Sequence, residues 1–134
     1  MTVKTALWAL QKAVFSTLDN DTGVKSVVTG VYDEVPQTAK LPYVQIGDDT
    51  VNPYDTKTDN GEDCTLTIHC FSNGPGKTEA KQIMDLVLKA LTTEPLTMDS
   101  SFKCEGIRRE FLNVFHDGIA YHGVCRFRVY IKQV

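Results

Sequence analysis

Residues 64–71 read Cys-Thr-Leu-Thr-Ile-His-Cys-Phe, and the alternation is strict. Cys64, Leu66, Ile68 and Cys70 point one way; Thr65, Thr67 and His69 point the other. Successive side chains of a strand face opposite sides, so this is a strand with one face in a core and one face in water. Buried parallel strands read instead as continuous apolar runs. The pattern therefore demands an antiparallel sheet covered on one side only, and the rest of the chain must supply that cover.

Two helical stripes do so. Val3, Leu7, Leu10, Val14 and Leu18 recur at three- and four-residue intervals, widened by Ala6 and Ala13, which predicts a helix over about residues 2–18. Asp-Asn-Asp-Thr-Gly follows, with Gly23 placed to cap the end. Ala80, Ile83, Met84, Val87, Leu88 and Leu91 predict a second helix over 78–91, with Pro95 beyond it. Trp8 and Phe15, seven apart, share a flank of the first helix. They either close the edge of the core or mark an interface, where aromatics are enriched.

The remaining elements read as strands. Residues 24–35 are short, β-branched and interrupted by Gly30, which predicts a brief extended segment; residues 43–47 alternate and predict a strand. Pro36 and Pro42 frame a loop between them. The last forty residues split at His116-Asp117-Gly118, a hairpin signal. In the final strand Tyr121, Cys125, Phe127, Val129 and Ile131 face inward, and His122, Arg126, Arg128, Tyr130 and Lys132 face out. The expectation is one α+β domain over residues 1–134, an antiparallel sheet of about four to five strands with two helices packed on one face. No linker, internal repeat or low-complexity tract divides the chain.

Phe71-Ser-Asn-Gly-Pro-Gly-Lys-Thr78 mimics a phosphate loop, G-x-x-x-x-G-K-[ST]. The first glycine of that pattern is replaced by Phe71, and Pro75 lacks an N–H that would line the cradle. The preceding strand also alternates, where a phosphate-loop strand would be buried on both faces. A tight turn made by Gly74, Pro75 and Gly76, with Gly76 or Thr78 capping the helix and Glu79 in its first turn, accounts for the residues. No G-x-S-x-G occurs. Asp33-Glu34 and Asp48-Asp49 are neighbours that point to opposite faces of a strand. Of the four cysteines, Cys64, Cys70 and Cys125 fall at apolar phases, and Cys104 forms no C-x-x-C with any of them. His69 lies on a polar face with no second ligand near it in sequence. These patterns do not exclude an enzyme, but nothing in them asks for one, and no zinc spacing joins the cysteines and histidines, so no metal is expected.

Charge carries more information. The net charge is −3, against the basic excess of a nucleic-acid-binding domain. Residues 48–63 hold six acids and one lysine, whereas residues 103–132 hold six basic side chains and three acids. The acidic stretch has no period and is rich in turn residues. It reads either as a long functional loop or as a solvated hairpin tip. No apolar run approaches the ~18 residues of a membrane span. The N-terminus lacks the features of a signal peptide, so the chain is expected to stay in the cytosol where it is made.

Several segments, taken in order, resemble a known family. Val-Tyr-Asp-Glu-Val-Pro (31–36) is followed by Leu-Pro-Tyr-Val-Gln-Ile-Gly (41–47). Then come the acidic segment, the strand at 65–72, and a helix with E-A-K-x-I-x-D-x-V-x-x-A-L (79–91). The chain closes on D-G-x-x-Y-H-G-V-x-R-F-R-V (117–129). This is similar to the tail-completion proteins of long-tailed bacteriophages, also called head-to-tail joining or tail terminator proteins, over nearly the whole chain. It departs from them in the length of the acidic loop.

The resemblance implies a structural protein at the head–tail junction of the virion, assembled in the host cytoplasm, that is not an enzyme and uses no cofactor. It implies a homo-hexameric ring that meets the tail-tube protein on one face and the head-completion protein beneath the portal on the other. Phage DNA would pass through without specific binding, and no membrane is involved. A ring needs two unlike surfaces on each subunit, and the acidic middle and basic end supply them. The candidate interface residues are Asp48, Asp49, Asn52, Tyr54, Asp55, Lys57, Asp59 and Glu62 on a loop that orders on binding. Arg126, Arg128 and Lys132 on the last strand would pair with acids across a subunit boundary or else form a solvated strand face. The rivals are a monomeric binding domain that uses the loop, and another ring protein of the phage neck.

Overall fold

The alternation of residues 64–71 extends at both ends in the computed structural model, which describes residues 2–134. The elements are helix α1 (Leu7–Asn20), helix α2 (Thr22–Val27), strands β1 (Val31–Tyr32), β2 (Tyr43–Pro53) and β3 (Gly61–Ser72), helix α3 (Thr78–Thr92), and strands β4 (Phe102–His116) and β5 (Tyr121–Gln133). They build one five-stranded sheet in the order β1-β2-β3-β5-β4. All pairs are antiparallel except β1 with β2, so the sheet is mixed. The class is α+β, as expected.

The period-two pattern decides the core. Val44 and Ile46 on β2, Cys64, Leu66, Ile68 and Cys70 on β3, and Cys125, Phe127, Val129 and Ile131 on β5 all face the helices and are buried. Helix α1 packs on β1 and β2, and α3 packs on β3, β4 and β5. The buried stripe of α3 is Ala80, Ile83, Met84, Val87 and Leu91, as its spacing predicts. A fully buried Leu, Ile or Val contributes about 1.5–3 kcal/mol, so these facing stripes hold the layers together. All four cysteines are free and buried among them. Burial and the neighbouring Glu62 and Asp63 push the Cys64 thiol up to about 12, and the Cys125 thiol beside Cys70, with burial, pushes Cys70 well above the usual thiol range. These are inert packing groups.

Four expectations are corrected. Helix α1 starts at Leu7 rather than residue 2, because the preceding residues are tied to strand ends. The Ala6 N–H donates to Glu62 Oε1 at 2.7 Å, and the Lys4 N–H donates to Gln133 Oε1 at 3.0 Å. Val3 therefore leaves the stripe and stands 72% exposed. Gly23 does not cap α1. It lies inside the short helix α2, whose N-cap Asp21 accepts from the Val24 N–H at 3.0 Å. That helix replaces half of the expected strand at 24–35, leaving β1 with two residues.

The acidic segment is the third correction. Strands β2 and β3 run through both of its ends and pair from Asp49↔Leu66 to Pro53↔Glu62, so only residues 54–60 lie outside strands. The long loop is a hairpin, its register reached through a bulge between Ile46 and Asp49. The fourth concerns the turn before α3. Neither Gly76 nor Thr78 caps that helix; Lys77 occupies the cap position without a side-chain bond. The turn is held instead by buried Ser72, whose Oγ donates to Glu79 Oε1 at 2.6 Å and accepts from the Gly74 N–H at 3.1 Å. Gly76 takes a φ of +69°, where a side chain would be strained.

Candidate assembly interface

The acidic residues fall into three settings. The bulge in β2 separates the adjacent pair: Asp48 is exposed, while Asp49 turns toward the helix side opposite Leu66. There one Asp49 carboxylate oxygen is enclosed without a hydrogen-bond partner. Burial first, then the charges of Asp48 and Asp33, push its carboxyl up to about 6. Asn52 is exposed on the same strand, opposite Asp63.

The hairpin tip is closed on itself. The Tyr54 N–H donates to the Gly61 carbonyl, and the Thr56 N–H to the Asp59 carbonyl, both at 2.8 Å. Asp55 Oδ1 accepts from the Gly61 N–H at 3.1 Å. Lys57 is exposed at the tip, and Tyr54, 60% exposed, sets its ring 5.6 Å from that of Tyr130. Glu62 is engaged inside the chain, where it accepts from the Ala6 N–H and the Thr5 hydroxyl.

The basic residues of β5 also have partners within the chain. Arg128 Nη1 lies 2.9 Å from both Asp63 oxygens, and its Nη2 lies 2.8 Å from Glu110. That hydrogen bond holds the Glu110 carboxyl below the usual carboxylate range. Lys132 Nζ stands 3.4 Å from Asp59 Oδ1. Arg126 is exposed with its guanidinium 5.7 Å from the Phe111 ring. The sequence placed all three on the outward face correctly. Pairing of β3 and β4 with β5 brings acids from β3, β4 and the hairpin tip to Arg128 and Lys132, so these two are neutralised within one chain.

Two features were missed. The register β3–β5 sets Phe71 opposite His122, and β4–β5 sets Phe115 opposite His122. The result is a ring cluster on the open face: His69 Nδ1 lies 2.7 Å from His122 Nε2, and Phe71 stacks on His122 at 4.4 Å. Burial lowers the pKa of both imidazoles, and for His122 the neighbouring His69 lowers it further. One neutral ring donates to the other. Alternation alone placed each histidine on a polar face, but only the pairing makes them partners. The second feature is the exposed trio Lys103, Arg108 and Arg109 on β4, an edge strand. Their charge was legible; their position at a sheet edge was not.

The arrangement has the character of an assembly surface: an open sheet face, two uncovered edges, and charged groups sorted to different sides. No helix among the described residues is long and apolar enough to cross a membrane.

Comparison with known proteins gives a consistent picture. A gene transfer agent virion contains a chain of the same fold, with a TM-score of 0.86 and 24% identity, covering 97% of this chain and 99% of that one. The solved gp17 protein of bacteriophage SPP1 aligns with a TM-score of 0.62 and 31% identity, covering 94% of this chain and 91% of that one. In sequence, the tail completion protein gp17 of Bacillus phage SPP1 is 33% identical over 134 residues, 99% of each chain. The family described as Tail completion protein gp17 matches residues 12–132. With nearly the whole length matched, this chain belongs to that family of phage tail-completion proteins, structural components of the virion.

Proposed function

We propose that this protein caps the tail tube and joins the tail to the DNA-filled head during particle assembly, leaving a channel through which DNA passes. The observation that carries this reading is the end-to-end similarity to a tail completion protein. It acts as a structural part and catalyses nothing. Its partners are the tail-tube protein, the head-completion protein and further copies of itself in a homo-hexameric ring. The work is done at the head–tail junction, after assembly in the host cytoplasm.

The surfaces support such a role. A closed ring needs heterologous contacts, one patch against a different one, and the sheet has two unlike edges, with arginines on β4 and aspartates on β2. The closed hairpin tip, with Tyr54 and Lys57 exposed, is the surface we assign to a neighbouring partner. The overall acidity keeps phosphate contacts weak.

Electron microscopy of lysates from a phage lacking the gene tests the reading. Filled heads beside separate tails are expected. Intact virions would overturn it.

A further inference from the structure

The two sheet edges differ in a way that selects a partner. Strand β4 pairs only with β5, so the backbone groups along its far side have no strand beside them among the described residues. At the opposite edge β1 covers β2 only at Val44 and Gln45, which leaves the stretch from Asp48 to Pro53 uncovered. Free edges of this length recruit strands. The β4 edge carries exposed Lys103, Arg108 and Arg109; of its two acids, Glu110 is paired with Arg128 and Glu105 is exposed. The β2 edge carries Asp48 and Asp49, with Asp33 close enough to act on Asp49.

Register aligns the two. Asp49 pairs with Leu66, Leu66 with Phe127, and Phe127 with Arg109, so Asp49 and Arg109 end one row across the sheet. Both lie on its helix side. Neither forms an ion pair among the described residues, and Asp49 keeps an enclosed oxygen without a donor. Strand direction agrees as well. Strands β2 and β5 run one way and β3 and β4 the other, so a β4 laid beside a second copy's β2 continues the antiparallel alternation.

We propose that copies of this chain join edge to edge, with β4 of one docking on the Asp48–Pro53 stretch of β2 in the next and Arg109 meeting the neighbouring copy's Asp49. This rests on the ring reading above and names its contact. The guanidinium supplies the donor that the carboxylate lacks. β2 against β2 brings acids together, and β4 against β4 leaves Asp49 without its donor, so the head-to-tail contact is favoured, the kind that closes rings. Apolar surface flanks both edges on the helix side. In the groove between α3 and β4, Met84, Leu88, Leu112 and Val114 lie near Arg109, together with Lys81, Asp85 and Asn113. Helix α1, over β1 and β2, exposes Trp8 and Phe15.

Cross-linking tests the contact. Residues opposed on adjacent strands stand about 4.5–5.5 Å apart between Cα atoms, within disulfide reach. A chain with Asp49→Cys and Arg109→Cys is assembled into particles, which are then purified and mildly oxidised; the native cysteines are buried. A ladder of linked multiples on a non-reducing gel is expected, absent from each single-cysteine variant. Joined particles that contain the chain but give no ladder would overturn the edge contact and leave the joining role standing. Absence of the unaltered chain from particles would overturn both. If the double-cysteine chain does not enter particles, charge exchange decides. Asp49→Arg and Arg109→Asp should each lower the yield of joined particles at least about tenfold, and their combination should recover most of it. Single variants without effect, or a combination without recovery, would refute the contact.

Discussion

Asp49 is a carboxylate placed where the isolated chain gains nothing from its charge. Its carboxyl is raised from the usual 3.8 to about 6, chiefly by burial and then by Asp48 and Asp33. A carboxyl whose folded pKa is raised binds more protons folded than unfolded between those values. Stability therefore falls as pH rises from about 4 to 6 and stays reduced above that. Each pH unit of difference is worth about 1.4 kcal/mol, so the ceiling is about 3 kcal/mol; at a half-buried site solvent lowers it to about 1–2 kcal/mol. Asp49→Asn removes the charge and keeps the shape. Urea unfolding of the free protein and the variant at pH 4, 5, 6 and 7 gives the difference directly. The variant should match the parent near pH 4 and be more stable by about 1–2 kcal/mol at pH 7. A flat difference, or a less stable variant at pH 7, would refute the reasoning. The same variant should join heads to tails poorly, because a charge unfavourable within one chain is favourable beside a neighbouring copy's arginine.

The His69–His122 pair has the opposite pH sense. Both folded pKa values are lowered, so stability is full above the ordinary 6.5 and is lost as pH falls below it. His122→Phe should flatten that loss in urea titrations between pH 7 and 5. Removing the Glu62 side chain deprives the Ala6 N–H of its acceptor, so Glu62→Ala should cost about 1–2 kcal/mol in the same assay and speed amide exchange at residues 4–7. At Gly123 an added Cβ would approach Met84 Sδ at 2.5 Å inside the core, so Gly123→Val should lower stability by about 1–3 kcal/mol. An unchanged denaturation midpoint would contradict the packing of α3 on β5.

Local pattern determined much of this protein. Period-two alternation placed Cys64, Leu66, Ile68 and Cys70 in the core, and the helical stripe from Ala80 to Leu91 placed α3. The turn signals at Asp117-Gly118 located the last hairpin, where Gly118 takes a φ of +97°. These features are legible because side-chain direction within an element depends only on its own spacing. The family could be recognised for the same reason, from the order of such segments. What failed was whatever depends on another segment. Polar, turn-rich residues 48–63 look like a loop until the rest of β2 and β3 pairs them, and Val3 fits the α1 stripe until Glu62 and Gln133 hold the chain straight. The sorting of charge was decided in the same way. Arg128, Lys132, Arg108 and Arg109 look alike in sequence. Strand order alone gives the first two acidic partners within the chain and leaves the other two on a free edge, where Arg109 is level with the Asp49 carboxylate at the opposite side of the sheet.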